Sequence, residues 1–129
     1  MAEAQLQRIT FRINEFEALD NPEAVGRAEW SLRVFVNDIE RWRSSGRHRV
    51  LEGNRAIVDA EFHVDIAPHS KEMSMRVEAE EHDLGPNDHA EGSVRLYRSQ
   101  DFGGDNFSID LKGDNAHLRL RCSTQIEAI

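Results

Sequence analysis

Short runs in which apolar and polar residues alternate recur along the whole chain, and they constrain it to β-structure. Residues 57–66, IVDAEFHVDI, are the clearest. Val58, Ala60, Phe62, Val64 and Ile66 fall on one face, and Asp59, Glu61, His63 and Asp65 on the other. A repeat of two residues is that of a strand with one buried face. Residues 6–13 place Ile9, Phe11 and Ile13 together, and residues 30–36 do the same with Leu32, Val34 and Val36. Phe35 interrupts the second pattern, so part of its other face is expected to be covered as well. Residues 48–51, 73–79, 93–98, 107–111 and 116–122 complete a set of eight predicted strands. Residues 38–43 fit a helical turn or a further short strand. The breakers between runs are rich in Pro, Gly, Asn and Asp: Asp20-Asn21-Pro22, Ser44-Ser45-Gly46, Gly53-Asn54, Pro68, and Gly85-Pro86-Asn87. No long amphipathic helix interrupts the series. Short strands joined by turns, within 129 residues, predict one all-β antiparallel domain over residues 1–129, an eight-stranded sandwich or barrel.

The formal net charge is −8, which argues against nonspecific nucleic-acid binding as a main role, since that requires an excess of basic charge. Cys122 is the single cysteine, so no intrachain disulfide forms, and a reducing compartment is compatible. The first ten residues, MAEAQLQRIT, have no apolar run behind a basic start, and no apolar run approaches the length of a membrane span. A cytoplasmic location, with peripheral attachment to a membrane, is the expectation.

Chemistry concentrates in residues 73–92, MSMRVEAEEHDLGPNDHAEG. Met73, Met75, Val77 and Ala79 alternate as a strand, which then runs into Glu80, Glu81, Asp83, Asp88 and Glu91. Carboxylates crowded where a strand becomes a loop repel one another unless a cation sits among them. Calcium suits such loops, because it takes roughly six to eight oxygen ligands. A solvated acidic turn is the alternative. His82 and His89 flank the acidic loop within this stretch, so a mixed histidine–carboxylate site for a transition metal is an alternative to a reading as surface histidines. The run Arg41, Arg43, Arg47, His48 and Arg49 around Trp42 reverses the sign of the chain locally. It either attracts anionic headgroups or is a solvated edge whose arginines discourage aggregation. Two Gly-Asp-Asn triplets, at 104–106 and 113–115, read as turns that each feed a strand. There is no Gly-x-Ser-x-Gly elbow, no zinc-type His spacing and no glycine-rich loop opening a helix, and Cys122 lies mid-strand beside Arg121. The chain is expected not to be an enzyme.

Taken in order, these features resemble the C2 domain, a calcium- and phospholipid-binding β-sandwich. The resemblance spans residues 6–122. The first strand, ending in Ala18-Leu19-Asp20, is similar to the family's opening strand and first calcium loop, and residues 29–34, EWSLRV, sit where the family usually has an Asp-Pro-Tyr-Val pattern. Residues 58–64, VDAEFHV, are similar to a Trp-Asn-Glu-x-Phe-x-Phe strand. Residues 75–83 with Asn87-Asp88 and Gly92 resemble its strand, Asp-x-Asp pair, Asp and Gly. Residues 116–120 resemble its closing strand. The resemblance implies an eight-stranded sandwich in the circularly shifted topology that begins at the strand before the first calcium loop. It implies calcium ligands at Asp20, Glu29, Glu81, Asp83 and Asp88, or, with a shift of two residues, Ala79 and Glu81 as the matching pair. It further implies a membrane-binding role, with Leu84 or Val25 entering the lipid interface and Arg41, Arg43, Arg47 and Arg49 meeting the headgroups. An anionic membrane surface or a protein is then the partner. The alternative function is a calcium-independent interaction or assembly module.

Overall fold

The computed structural model describes residues 6–20, 28–44, 48–50, 55–82, 88–113 and 116–129; at Asp20, residues 28–29, 48–50 and 55–56, and Asp88 the description is of the backbone alone. Among the described residues, nine strands follow in chain order: β1 (Gln7–Asp20), β2 (Ala28–Val36), β3 (Ile39–Arg43), β4 (His48–Val50), β5 (Arg55–Ile66), β6 (Glu72–Glu81), β7 (Asp88–Tyr97), β8 (Phe107–Lys112) and β9 (His117–Ala128). A 3₁₀ turn, Arg98–Gly103, joins β7 to β8. Eight strands form one antiparallel path, β3-β2-β6-β7-β8-β9-β1-β5, and β4 attaches to β2 beside it. Residues 38–43, open to two readings in the sequence, form a hairpin with β2. Asn37 and Asp38 take positive φ of 49° and 66°, as a type I′ two-residue turn requires. The Asn37 side chain accepts the Ser74 N–H at 3.0 Å, which pins this turn to β6.

The path folds on itself between β7 and β8, which share a single bridge, Glu91 to Lys112. Gly92 lies at this crossing. A Cβ there would stand 2.0 Å from the Asp110 carbonyl oxygen, so only glycine lets the two backbones approach. The resulting layers are β3-β2-β6-β7 and β8-β9-β1-β5, and their inward faces meet in one apolar core. Trp30, Phe11, Phe16, Phe102 and Leu118 are among the fully buried side chains. In β6 the predicted face is the observed one: Met73, Met75, Val77 and Ala79 are buried, and their neighbours Ser74, Arg76 and Glu78 are partly exposed.

Two strands run well past their predicted ends. β1 continues from Ile13 to Asp20 because a bulge at Asn14 inserts one residue against β9. The buried positions therefore switch from Ile9, Phe11 and Ile13 to Phe16 and Ala18, and strict alternation stops at the bulge. β9 continues from Cys122 to Ala128 through residues whose polarity hid it. Thr124, only 7% exposed, accepts the Gly104 N–H at 2.9 Å, and its hydroxyl lies 3.0 Å from the carbonyl oxygens of both Asp101 and Phe102. It thus locks a turn in which Asp101 and Phe102 both take left-handed φ, 54° and 52°. Such strain costs on the order of 1–3 kcal/mol per residue and persists only when the surroundings impose it. Burial of the Phe102 ring offsets part of that cost. Arg98 closes the same end: its guanidinium donates to the Ser70 and Ala67 carbonyls and to Gln7 Oε1, at 2.7, 3.2 and 2.7 Å.

Candidate functional site

Strand register decides which carboxylates come together. Glu81, the last residue of β6, pairs with Trp30 of β2 on one side and with Asp88, the first residue of β7, on the other. Glu29 precedes Trp30, and Asp20 ends β1. β1 therefore finishes, β2 starts, β6 finishes and β7 starts at one end of the sandwich. Asp20, Glu29, Glu81 and Asp88 all occupy strand termini there, the convergence that the two acidic segments of the sequence implied. Asp83 and Leu84 lie outside the described residues, as do Val25 and Arg47. Glu81 faces inward in phase with Ala79, and both are 1% exposed. The odd-numbered positions of β6 are thus its inward ones up to the strand's last residue. A carboxylate buried to that degree at a strand end is a feature that burial alone disfavours.

The basic run is divided. β4 pairs with the start of β2, which puts Arg49 opposite Glu29 in register, at the acidic end. β3 pairs with the other half of β2, with Arg43 opposite Arg33, about 13 Å further along at ordinary strand rise. Arg41 is exposed on β3. Arg43 is exposed too, but its guanidinium is held by both oxygens of Glu40, at 3.0 and 3.2 Å. The backbones of Arg43 and Arg49 thus meet β2 at two separate places along the same strand.

The outer face of β2, β6 and β7 carries a constellation that the alternation pattern did not single out. A groove of about 410 Å³ runs across it, lined by Ser31, Arg33, Arg43, Glu78, Glu80 and His89 among others. At its edge Glu78, His89 and Glu91 bring one ligand atom each within 4.8 Å of one another. The sequence had grouped His89 with His82, but His82 hydrogen-bonds the Ser31 hydroxyl at 2.7 Å instead. The signal present in the sequence was the i, i+2 spacing of His89 and Glu91 on one strand face. The missing half was the register that sets Glu78 opposite Glu91. Beside this cluster, Arg33 and Arg76 lie over the ring of Phe35 at 5.5 and 4.3 Å, which accounts for the apolar residue on an otherwise polar face.

On the opposite layer Asp110 accepts from Arg119 at 2.8 Å and contacts His117 Nε2 at 3.2 Å. The Arg119 guanidinium foremost, against partial desolvation and with help from His117, holds the Asp110 carboxyl down at about 2. Burial pushes the Cys122 thiol up to about 12, which leaves it protonated and unreactive.

No protein-family model and no curated relative matches the sequence. Solved structures do match. The chain superposes on a C2 domain with a TM-score of 0.52 at 13% identity, covering 92% of this chain and 98% of that one. It superposes on human GIVD cytosolic phospholipase A2 with a TM-score of 0.64 at 13% identity, over 99% of this chain but 17% of the phospholipase. The calcium-bound C2A and C2B domains of extended synaptotagmin 2 match with a TM-score of 0.56 at 13% identity, over 95% of this chain and 46% of theirs. The chain has the fold of the C2 domains, an antiparallel β-sandwich, as the order of its motifs implied. Among the described residues, no helix is long and apolar enough to cross a membrane.

Proposed function

We propose that this chain is a non-enzymatic module that binds membrane surfaces peripherally, with calcium as the ion that switches binding on. The observation that carries the reading is the convergence of Asp20, Glu29, Glu81 and Asp88 on strand termini at one end of the sandwich. Carboxylate oxygens are hard donors, and their number and negative charge fit calcium better than softer ions. Bound calcium would supply positive charge at that end and so a bridge to lipid phosphates. The chain's own residues do the rest: the carboxylates hold the ion, and the basic residues of β3 and β4 add attraction to an anionic leaflet. The likeness to the calcium-bound domains of extended synaptotagmin 2 and to a cytosolic phospholipase supports the same role, and a cytoplasmic location is part of this proposal.

Co-sedimentation with phosphatidylserine–phosphatidylcholine vesicles tests it. Binding in millimolar calcium and release in EDTA are expected. Equal binding in both conditions, or none in either, overturns calcium dependence. A second reading, a calcium-independent interaction module, has its own support in the two strands that end the sheet path: Ile39 on β3 and Ile57 on β5 are 54% and 81% exposed. Absence of vesicle binding together with concentration-dependent self-association in sedimentation velocity would favour it.

A further inference from the structure

We propose that the outer face of β6 and β7 is a transition-metal site in which Glu78, His89 and Glu91 are the protein ligands, with zinc(II) as the ion of matching chemistry. The site is distinct from the acidic end and does not depend on it. β6 and β7 pair so that Glu78 lies directly opposite Glu91 and Glu80 directly opposite His89. His89 and Glu91 flank the buried Ala90, so both project from the solvent face. Two carboxylates directly opposed on neighbouring strands repel each other, and a shared cation removes that repulsion. One imidazole nitrogen and two carboxylates form a three-ligand set that leaves a position for water or an exogenous ligand, and the nitrogen selects borderline ions over calcium. The ligand atoms lie within 4.8 Å of one another, and His89 Nε2 is 3.7 Å from Glu91 Oε2. A tetrahedral ion needs donors about 3.3 Å apart. His89 and Glu91 are half exposed and close that difference by side-chain rotation. The adjoining groove gives the ion a path from solvent. The competing cations are Arg33 and Arg76, which approach the two oxygens of Glu78 at 3.4 and 3.5 Å, longer than charge-assisted bonds normally are.

Isothermal titration of the full chain with zinc(II), in buffer already holding millimolar calcium, tests the site and keeps it separate from the acidic end. One equivalent of zinc bound, unaffected by calcium, is expected. His89→Ala should weaken binding by about tenfold or more, while His82→Ala should leave it unchanged. Arg33→Gln, which removes a competing cation from Glu78, should tighten it roughly severalfold. Cobalt(II) should give a visible d–d absorption that His89→Ala abolishes. Zinc binding that survives His89→Ala, that His82→Ala abolishes, or that is absent from the natural protein overturns the proposal. Circular dichroism of each variant confirms that these surface substitutions leave the fold intact.

Discussion

At the scale of single residues, three side chains act through contacts that sequence polarity does not disclose. Thr124 satisfies the backbone of the strained 101–104 turn, so Thr124→Val keeps the shape and removes the hydroxyl. It should cost about 1–3 kcal/mol in urea unfolding, because buried backbone groups lose their partner. Asp110 is ionised down to about 2 in the folded protein, against an ordinary value of 3.8. A depressed carboxyl stabilises the fold above its unfolded pKa, and that contribution disappears as the pH falls through the folded pKa. Asp110→Asn should therefore lower the melting temperature at neutral pH, and the gap from the natural protein should close between about pH 4 and pH 2. Cys122, buried and held at about 12, should resist alkylation in the native state and react fully once the chain is unfolded in urea. Native labelling at the unfolded rate would contradict that account.

At the scale of elements, alternation succeeds where a strand keeps its phase and fails where the phase slips. β6 was readable because its buried side chains stay on the odd positions from Met73 to Glu81. β1 was readable only to Ile13. Beyond the bulge, Phe16 and Ala18 look out of phase with Ile9 and Phe11, although all four are buried. β9 keeps one phase throughout, so Phe16 meets Leu120 and Ala18 meets Leu118 only if Asn14 is looped out. Deletion of Asn14 removes the extra residue and leaves Ile13, Phe16 and Ala18 in one unbroken alternation against β9, so Phe16 should stay inward opposite Leu120. A cooperative thermal transition is therefore the expected outcome, and a deletion variant that melts without one would show that the bulge itself, and not only the phase beyond it, holds β1 in place. The Asn37-Asp38 hairpin stayed open between a helical turn and a strand for a related reason. Its signal is two adjacent residues that tolerate positive φ, and it has no glycine to mark it.

At the scale of the whole molecule, the fold depends on one close crossing between layers. Gly92→Ala would drive a methyl group into the Asp110 carbonyl, with backbone on both sides and little freedom to yield. A loss on the order of 3 kcal/mol or more is expected from chemical denaturation, at the severe end for a single methyl. The same sandwich places four acidic strand termini at one end, and this sets the expected response to calcium. An ion that binds only the folded state raises its stability by mass action. The melting temperature should therefore rise on titration with calcium and return with EDTA, and Glu81→Gln should reduce the rise. A flat response in the natural protein would remove calcium from the proposed function while leaving the fold untouched.

Period-two alternation and turn chemistry were enough by themselves to establish an all-β sandwich or barrel, the core faces of most strands and the two acidic segments, and the resemblance to C2 domains then pointed to the sandwich. Those properties are local: they depend on which side of a pleat a residue falls and on which residues turn easily. Register, bulges and the layer crossing came only from the tertiary structure, because they are set by how distant strands meet. That is why Glu81 emerged as a buried neighbour of Trp30 and Asp88. It is also why the basic run divided between two ends of β2, and why Glu78, 11 residues from His89 in the chain, stands beside it on the sheet.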